Sequence, residues 1–353
     1  MNIKINTREI GPNFPTYIIA EMSANHGKDF NKAIRIIKAA KNAGADAVKL
    51  QTYTPDTITI NCENDYFKIK GTIWEGKNLY QLYEDAYTPW EWQPKLKKVA
   101  DEIGIELFST PFDETAVDFL EKMEVPAYKI ASFEIVDIPL LRKIGCTGKP
   151  VIMSTGMASL SEIDEAVCTL RAYGCKELAL LKCVSTYPAS PEEMNLKTIP
   201  NLSQTFQVPV GLSDHSMALP VPVAAVCLGA CIVEKHFTLN RDEPGPDSAF
   251  SLEPDEFKEM VQAIRTTEKA LGKVSYEITE KEKESRVFRR SLFVVEDIKK
   301  GEAFTEKNVR SIRPGNGFHT RYLKDIIGKK VVKDILKGTP ITWDCLIDDE
   351  KER

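Results

Sequence analysis

The sequence predicts an α/β fold, a (β/α)8 TIM barrel followed by a small β-rich domain, and three observations carry this prediction. Short apolar runs alternate with amphipathic helical stretches from the start of the chain to about residue 270, the spacing of strand–helix units. Each run is apolar almost throughout, as parallel strands covered on both faces are. Beyond residue 290 the texture changes to short β-like runs and Gly turns with little helical periodicity.

The strand-like runs are TYIIAE (16–21), DAVKLQ (46–51), IELFSTP (105–111), AYKIAS (127–132), PVIMST (150–155), ELALLKCVST (177–186), VPVGLSDHS (208–216) and CIVEKHF (231–237). Between them lie helical patterns such as FNKAIRIIKAAKNAG and SLSEIDEAVCTLRAYG. The second is expected to open on Ser161 as N-cap, with Glu162 in its first turn, and to end before Gly174. Eight such units close into a barrel. An open doubly wound sheet is the competing architecture, and the lack of GxGxxG after the first strand counts against it. Residues 52–95 form a long excursion between the second strand and its helix. They are rich in Trp and Tyr, and such a βα connection is expected to be a lid or an oligomer contact.

The barrel is expected to span 1–273. A charged linker, VSYEITEKEKESRVFRR (274–290), reads as helical or extended. In the small domain, 291–353, DIKKGEAF (297–304) matches DILKGTPI (334–341), so two related halves are expected.

Composition narrows the class. Hydrophobic residues at 42% and charged residues at 28% supply a sizeable core. A net charge of -5 argues against a nucleic-acid partner, and any anionic ligand must meet a local cation cluster. The N-terminal MNIKINTREIGPN lacks the apolar run of a signal peptide, and no apolar stretch reaches the roughly 18 residues needed to span a membrane. None of the eight cysteines forms a CxxC pair. They read as reduced packing thiols of a cytoplasmic protein.

Side chains at the C-terminal ends of barrel strands converge on one mouth. Here they are Glu21; Lys49 and Gln51; Ser109 and Thr110; Lys129 and Ser132; Ser154 and Thr155; Ser185, Thr186 and Tyr187; Ser213 and His215; Glu234 and His236. Two inward lysines among hydroxyls suggest an anion site for phosphate or carboxylate. The alternative for a barrel lysine is a Schiff-base nucleophile, as in an aldolase. His215 and His236, on neighbouring strands, either hold a divalent metal or are ordinary hydrogen-bonded imidazoles. Glu21 and Glu234 either move protons or pair with Lys49 or Lys235. His26, in EMSANHG, falls on the same face of the barrel.

Taken together, AEMSANHG, KLQTYTPDT, FSTPFD, YKIAS, MSTGM, CVSTYPA, GLSDHS and EKHFTL resemble the barrel of the sialic acid synthases. RSLFVVEDIKKGE and SIRPGNG resemble that family's small C-terminal antifreeze-like (SAF) domain. The resemblance implies condensation of phosphoenolpyruvate with an N-acetylated amino sugar, assisted by a divalent metal ion (Mn2+, Mg2+ or Co2+), in a domain-swapped homodimer. It implies His215 and His236 as metal ligands. Phosphoenolpyruvate contacts would come from Lys49, Thr110, Lys129, Ser132, Ser154, Ser185 and Ser213. Glu21 would act as acid and base. Gln51, Tyr187, Glu234, Asp247 and Phe288 would approach the sugar, and Arg313 would reach the partner's site. Thr186 stands where the family often has Asn. Within the family, GTIWEGKNLYQLYEDAYTPWEW and GPDSAFSLEPDEF are most like pseudaminic acid synthases, which implies 2,4-diacetamido-2,4,6-trideoxy-L-altrose as the sugar. N-acetylneuraminic and legionaminic acid synthases share the chemistry with other sugars.

Overall fold

The computed structural model describes residues 2–243 and 245–346. The chain forms two compact units, one ending at Gly272 and one beginning at Lys273. Residues 347–353 of the expected small domain lie outside the described residues.

The first unit is the expected closed barrel. Its parallel strands are Tyr17–Glu21, Ala47–Thr52, Glu106–Pro111, Tyr128–Ile130, Val151–Ser154, Leu178–Cys183, Val210–Asp214 and Ile232–His236. They pair in chain order, and the eighth returns to the first. Burial on both faces explains the unbroken apolar runs, since alternate residues face the lumen and the surrounding helices.

Two strands stop earlier than their runs. The fourth ends at Ile130, so Ser132 opens the 3-10 helix Ser132–Val136. The sixth ends at Cys183, whose partner Ser213 already lies near the end of the seventh strand. Ser185, Thr186 and Tyr187 therefore belong to the following loop. The helix Leu160–Ala172 is capped by Ser159 rather than Ser161. Ser159 Oγ accepts from the Glu162 backbone N–H at 3.3 Å, and Glu162 Oε2 accepts from the Ser159 N–H at 2.7 Å. This capping box needs the i, i+3 spacing that Ser161 lacks.

An N-terminal hairpin, Ile3–Ile5 with Arg8–Ile10, packs Ile3, Ile5 and Ile10 into the core at the strands' starting ends. The Lys4 backbone N–H donates to Glu177 and the Asn6 amide to Glu106, closing the face opposite the mouth. All eight cysteines are free. Cys175, Cys183, Cys231 and Cys345 are buried. Cys146, Cys168 and Cys227 instead stand exposed on helices, so the packing role does not extend to them.

In the second unit, residues 273–290 are exposed and include the helix Glu280–Ser285. The strands Ser291–Val294 and Val309–Ile312 then pair antiparallel over a core containing Leu292, Val294, Ile298, Phe304 and Ile335. The two matching stretches cross-cap each other. Ile298 and Ile335 exchange both backbone hydrogen bonds, at 2.9 and 2.8 Å. Asp334 accepts from the Lys300 N–H at 2.9 Å, and Asp297 accepts from the Lys337 N–H at 2.8 Å. Gly301 and Gly338 take φ values of 84° and 88°, a left-handed turn that glycine adopts without steric cost.

Candidate active site

Strand register sets the centre of the site. His236 pairs with Glu21, Glu21 with Lys49, and Gln51 with Thr110. Lys49 Nζ lies 2.6 Å from Glu21 Oε2 and donates to Thr110 Oγ1 at 3.1 Å. Gln51 Nε2 donates to Glu21 Oε1 at 3.1 Å. Two strands on, Lys129 Nζ donates to Ser154 Oγ at 2.6 Å and to the Ile130 carbonyl at 2.9 Å. Glu234 sits between the lysines, 3.8 Å from Lys49 and 3.9 Å from Lys129, and its Oε1 accepts from Ser213 Oγ at 3.2 Å.

Burial controls the charges of this cradle. It raises the Glu21 carboxyl above its usual range, against the pull of Lys49. Glu234 shifts down, because Lys129 and Lys49 outweigh its desolvation. Lys129 shifts down, chiefly through burial. Lys49 shifts up despite burial, because Glu21 and Glu234 face it. Ser132 and Ser185 complete the rim around Gly156. The Gly156 N–H donates to Ser132 Oγ at 3.1 Å, and a Cβ at Gly156 would collide with both hydroxyls.

The two histidines stand beside this cradle with ring centroids 5.3 Å apart. His215 Nδ1 donates to the Val184 carbonyl at 2.8 Å, and Cys183 Sγ lies 3.9 Å from the same nitrogen. That bond leaves the Nε2 lone pair of His215 free. His236 Nδ1 is buried with no hydrogen-bond partner. Burial, with His215 next in effect, holds the His236 pKa well below the usual imidazole value. His215 shifts the other way, since Cys183 and the Val184 carbonyl outweigh burial. A neutral imidazole with an orphaned nitrogen beside one with a directed lone pair fits a divalent cation. Among the described residues no group of three or more His, Cys, Asp or Glu is placed to hold a metal ion, so any site on the two histidines would leave positions open for water or substrate.

Adjoining the cradle is a cavity of about 380 Å³, whose lining includes Gln51, Tyr53, Trp74, Tyr83, Glu134, Tyr187, His236, Asp247 and Phe250. The Tyr187 ring lies 4.5 Å from His215 and 5.0 Å from Phe250. Asp247 Oδ2 accepts from the Ala24 N–H at 3.3 Å, and burial raises its carboxyl. The excursion 52–95 thus supplies one wall of this cavity.

Several residues expected at the barrel mouth are placed otherwise within the first unit. Ser109 turns outward to Thr52 Oγ1, at 2.6 Å, which in turn donates to Gln93 on the covering helix. Thr155 Oγ1 donates to the Leu181 carbonyl at 3.1 Å. Thr186 is exposed. Lys235 faces away from both glutamates and pairs with Asp214 at 2.7 Å, fully buried. His26 is buried outside the cavity lining, its Nε2 3.0 Å from Thr88 Oγ1, with burial lowering its pKa to about 4. Phe288 and Arg313 belong to the second unit and are exposed there.

Glu134, Tyr53 and Tyr83 escaped the sequence reading. Tyr53 follows the second strand by one residue, so extending the strand-end rule past each strand finds it. Glu134 lies on the 3-10 turn after the fourth strand, and its Oε2 is buried without a partner. Burial pushes its carboxyl up to about 7. Nothing in the local pattern marks Tyr83, which reaches the cavity from the helix Leu79–Ala86.

Comparison with known proteins agrees with this architecture. A pseudaminic acid synthase from Campylobacter jejuni is 48% identical over 322 residues, covering 91% of this chain and 94% of that protein. An N,N'-diacetyllegionaminic acid synthase from Legionella pneumophila is 36% identical, covering 97% and 98%. The crystal structure of an N-acetylneuraminic acid synthetase from Leptospira borgpetersenii matches with a TM-score of 0.72 at 35% identity, over 81% of this chain and 95% of that one. Residues 289–347 match the SAF domain. Residues 36–276 match the model of the NeuB family, and the chain belongs to that family.

Proposed function

We propose that the protein condenses phosphoenolpyruvate with 2,4-diacetamido-2,4,6-trideoxy-L-altrose and water, giving pseudaminic acid and phosphate. The observation that carries this reading is the pair of buried lysines, each tied to a hydroxyl, beside an aromatic cavity whose lining includes His236. The higher identity to the pseudaminic than to the legionaminic acid synthase supports the choice of sugar.

Lys49, Lys129, Thr110, Ser132, Ser154, Ser185 and Ser213 hold the phosphate and carboxylate of phosphoenolpyruvate, point charge and hydroxyl donors together fixing its orientation. Its C3 attacks the sugar aldehyde carbon, and the aldehyde oxygen takes a proton from Glu21 to become a hydroxyl. Water adds at C2, giving its proton to Glu21, which Lys49 and Gln51 hold in place. The C2–O bond to phosphate then breaks, and the ketone forms as phosphate leaves. Gln51, Tyr187, Glu234 and Asp247 position the sugar. His215 and His236 would hold a divalent ion (Mn2+, Mg2+ or Co2+), which supplies Lewis-acid polarisation of the aldehyde when bound. The enzyme acts in the cytoplasm as a homodimer, with Phe288 and Arg313 of one chain serving the site of the other.

The test is phosphate release from phosphoenolpyruvate with three sugars: the L-altrose compound, its D-manno counterpart and N-acetylmannosamine. Turnover is expected with the first in preference to the others, and none after metal is stripped by chelator. Full activity after stripping would remove the metal from this account. A Schiff-base aldolase remains the second reading, because burial lowers Lys129 as a nucleophilic lysine requires. Borohydride trapping of pyruvate on Lys49 or Lys129 would favour it.

A further inference from the structure

The excursion 52–95 gives the cavity a wall of distinct chemistry. Ile58, Trp74, Leu82 and Ala86 line it together with Phe112. The aliphatic members have no polar side-chain atom. Trp74 has one, Nε1, and spends it on the Pro246 carbonyl at 2.8 Å. Leu82 and Ala86 stand four apart on the helix Leu79–Ala86 and so share a face. A capping box between Asn78 and Gln81 fixes the start of that helix. Tyr53 and Tyr83 line the same cavity, Tyr53 packing edge-on against Phe112 at 5.1 Å and against Tyr83 at 5.6 Å. Apart from the phenols of Tyr53 and Tyr83, the polar lining residues Gln51, Glu134 and Asp247 come from the barrel strands and their other loops.

A sugar in this cavity can satisfy its hydroxyls and amides on the polar residues. The edge against Ile58, Leu82 and Ala86 meets hydrocarbon. A hydroxyl there loses its water and gains no partner. A methyl there loses nothing and is removed from water.

We infer that Ile58, Trp74, Leu82 and Ala86 form a subsite that recognises a methyl group on the sugar. This rests on the proposed condensation and adds the means by which that site selects its sugar. The methyl belongs either to C6 of the 6-deoxy sugar or to its acetamido group on C4.

The experiment measures kcat/KM for the diacetamido-trideoxy sugar in two arms. One arm compares it with its 6-hydroxy counterpart, and the other with its 4-formamido counterpart. Wild type, Leu82→Asn and Ala86→Ser are compared, with the KM for phosphoenolpyruvate as a check that the cradle is intact. Ala86→Ser adds a single oxygen and guards against a folding defect in Leu82→Asn. In one arm, wild type is expected to favour the methyl-bearing sugar by roughly 10- to 100-fold. Both variants shrink that ratio while the KM for phosphoenolpyruvate stays unchanged. The arm that discriminates identifies the methyl. Equal kcat/KM in both arms, or a ratio that neither variant moves, overturns the subsite. Absence of phosphate release with any of these sugars is a separate outcome, and it overturns the condensation itself.

Discussion

Glu134 stands on the 3-10 turn Ser132–Val136 with Oε2 buried and unpaired, and burial lifts its carboxyl from 4.5 to about 7. Below pH 4.5 the group is protonated in both folded and unfolded chains. Between 4.5 and 7 the unfolded chain ionises while the folded one resists, so stability falls as pH rises. Above 7 the loss is complete. The size follows from the shift and is on the order of 3 kcal/mol. Glu134→Gln removes this titration. Urea denaturation at pH 5 and pH 8 is therefore expected to show the variant gaining that amount on wild type at the higher pH. Parallel behaviour of the two proteins across the range would mean that Glu134 is ionised in the free cavity. Glu21 and Asp247 shift in the same direction, but the comparison with Gln isolates Glu134.

At the scale of the element, the seventh and eighth strands show how one ladder serves two faces. Ser213, Glu234, His215 and His236 face the site, while Asp214 and Lys235, direct cross-strand partners, face outward. Both are fully buried at 2.7 Å. Asp214 also accepts from the Ser216 N–H at 2.8 Å, and Lys235 donates to the Ser216 carbonyl, so the pair clamps the turn after His215. Breaking such a pair leaves an uncompensated buried charge, so Asp214→Asn is expected to cost about 3–5 kcal/mol in denaturation. The double change Asp214→Leu with Lys235→Met costs far less, because no charge is left unpaired. Equal losses in the single and double variants would show that the clamp on Ser216, rather than the charge pair, matters. These strands also show what a sequence can and cannot disclose. Period-two alternation placed Ser213 with His215 and Glu234 with His236, because side-chain direction follows from backbone geometry alone. It left open whether Lys235 would turn toward Glu21, since that depends on where the strands are packed. The cap at Ser159 was missed because Ser161 also precedes the periodic segment, and only hydrogen bonding separates them. The role of Tyr83 was hidden because it depends on how a long excursion folds back over the mouth. No local pattern encodes that.

For the whole molecule, the charge carried by phosphoenolpyruvate sets a requirement. In the cradle Lys49 and Lys129 face Glu21 and Glu234, so the cations there are already matched by carboxylates. Among the described residues lining the adjoining cavity there is no arginine or lysine. A ligand bearing both phosphate and carboxylate calls for a further cation in a site where water is excluded. Arg313, exposed in the second unit, has the planar donors suited to that task. If it serves a partner chain, an Arg313→Ala chain and a His236→Ala chain are each inactive for different reasons. In a mixed dimer, one site combines the intact barrel of the first with the intact Arg313 of the second. The other site carries both defects. Random mixing in a two-fold dimer is then expected to restore about one quarter of wild-type phosphate release. Native mass spectrometry measures the heterodimer fraction, and recovered activity should rise in proportion to it. Heterodimers without recovered activity would show that Arg313 does not act across chains, and a chain that stays monomeric under assay conditions would exclude sharing altogether. Recovery would mean that the site's charge balance is completed only on assembly, tying activity to protein concentration through the dimer equilibrium.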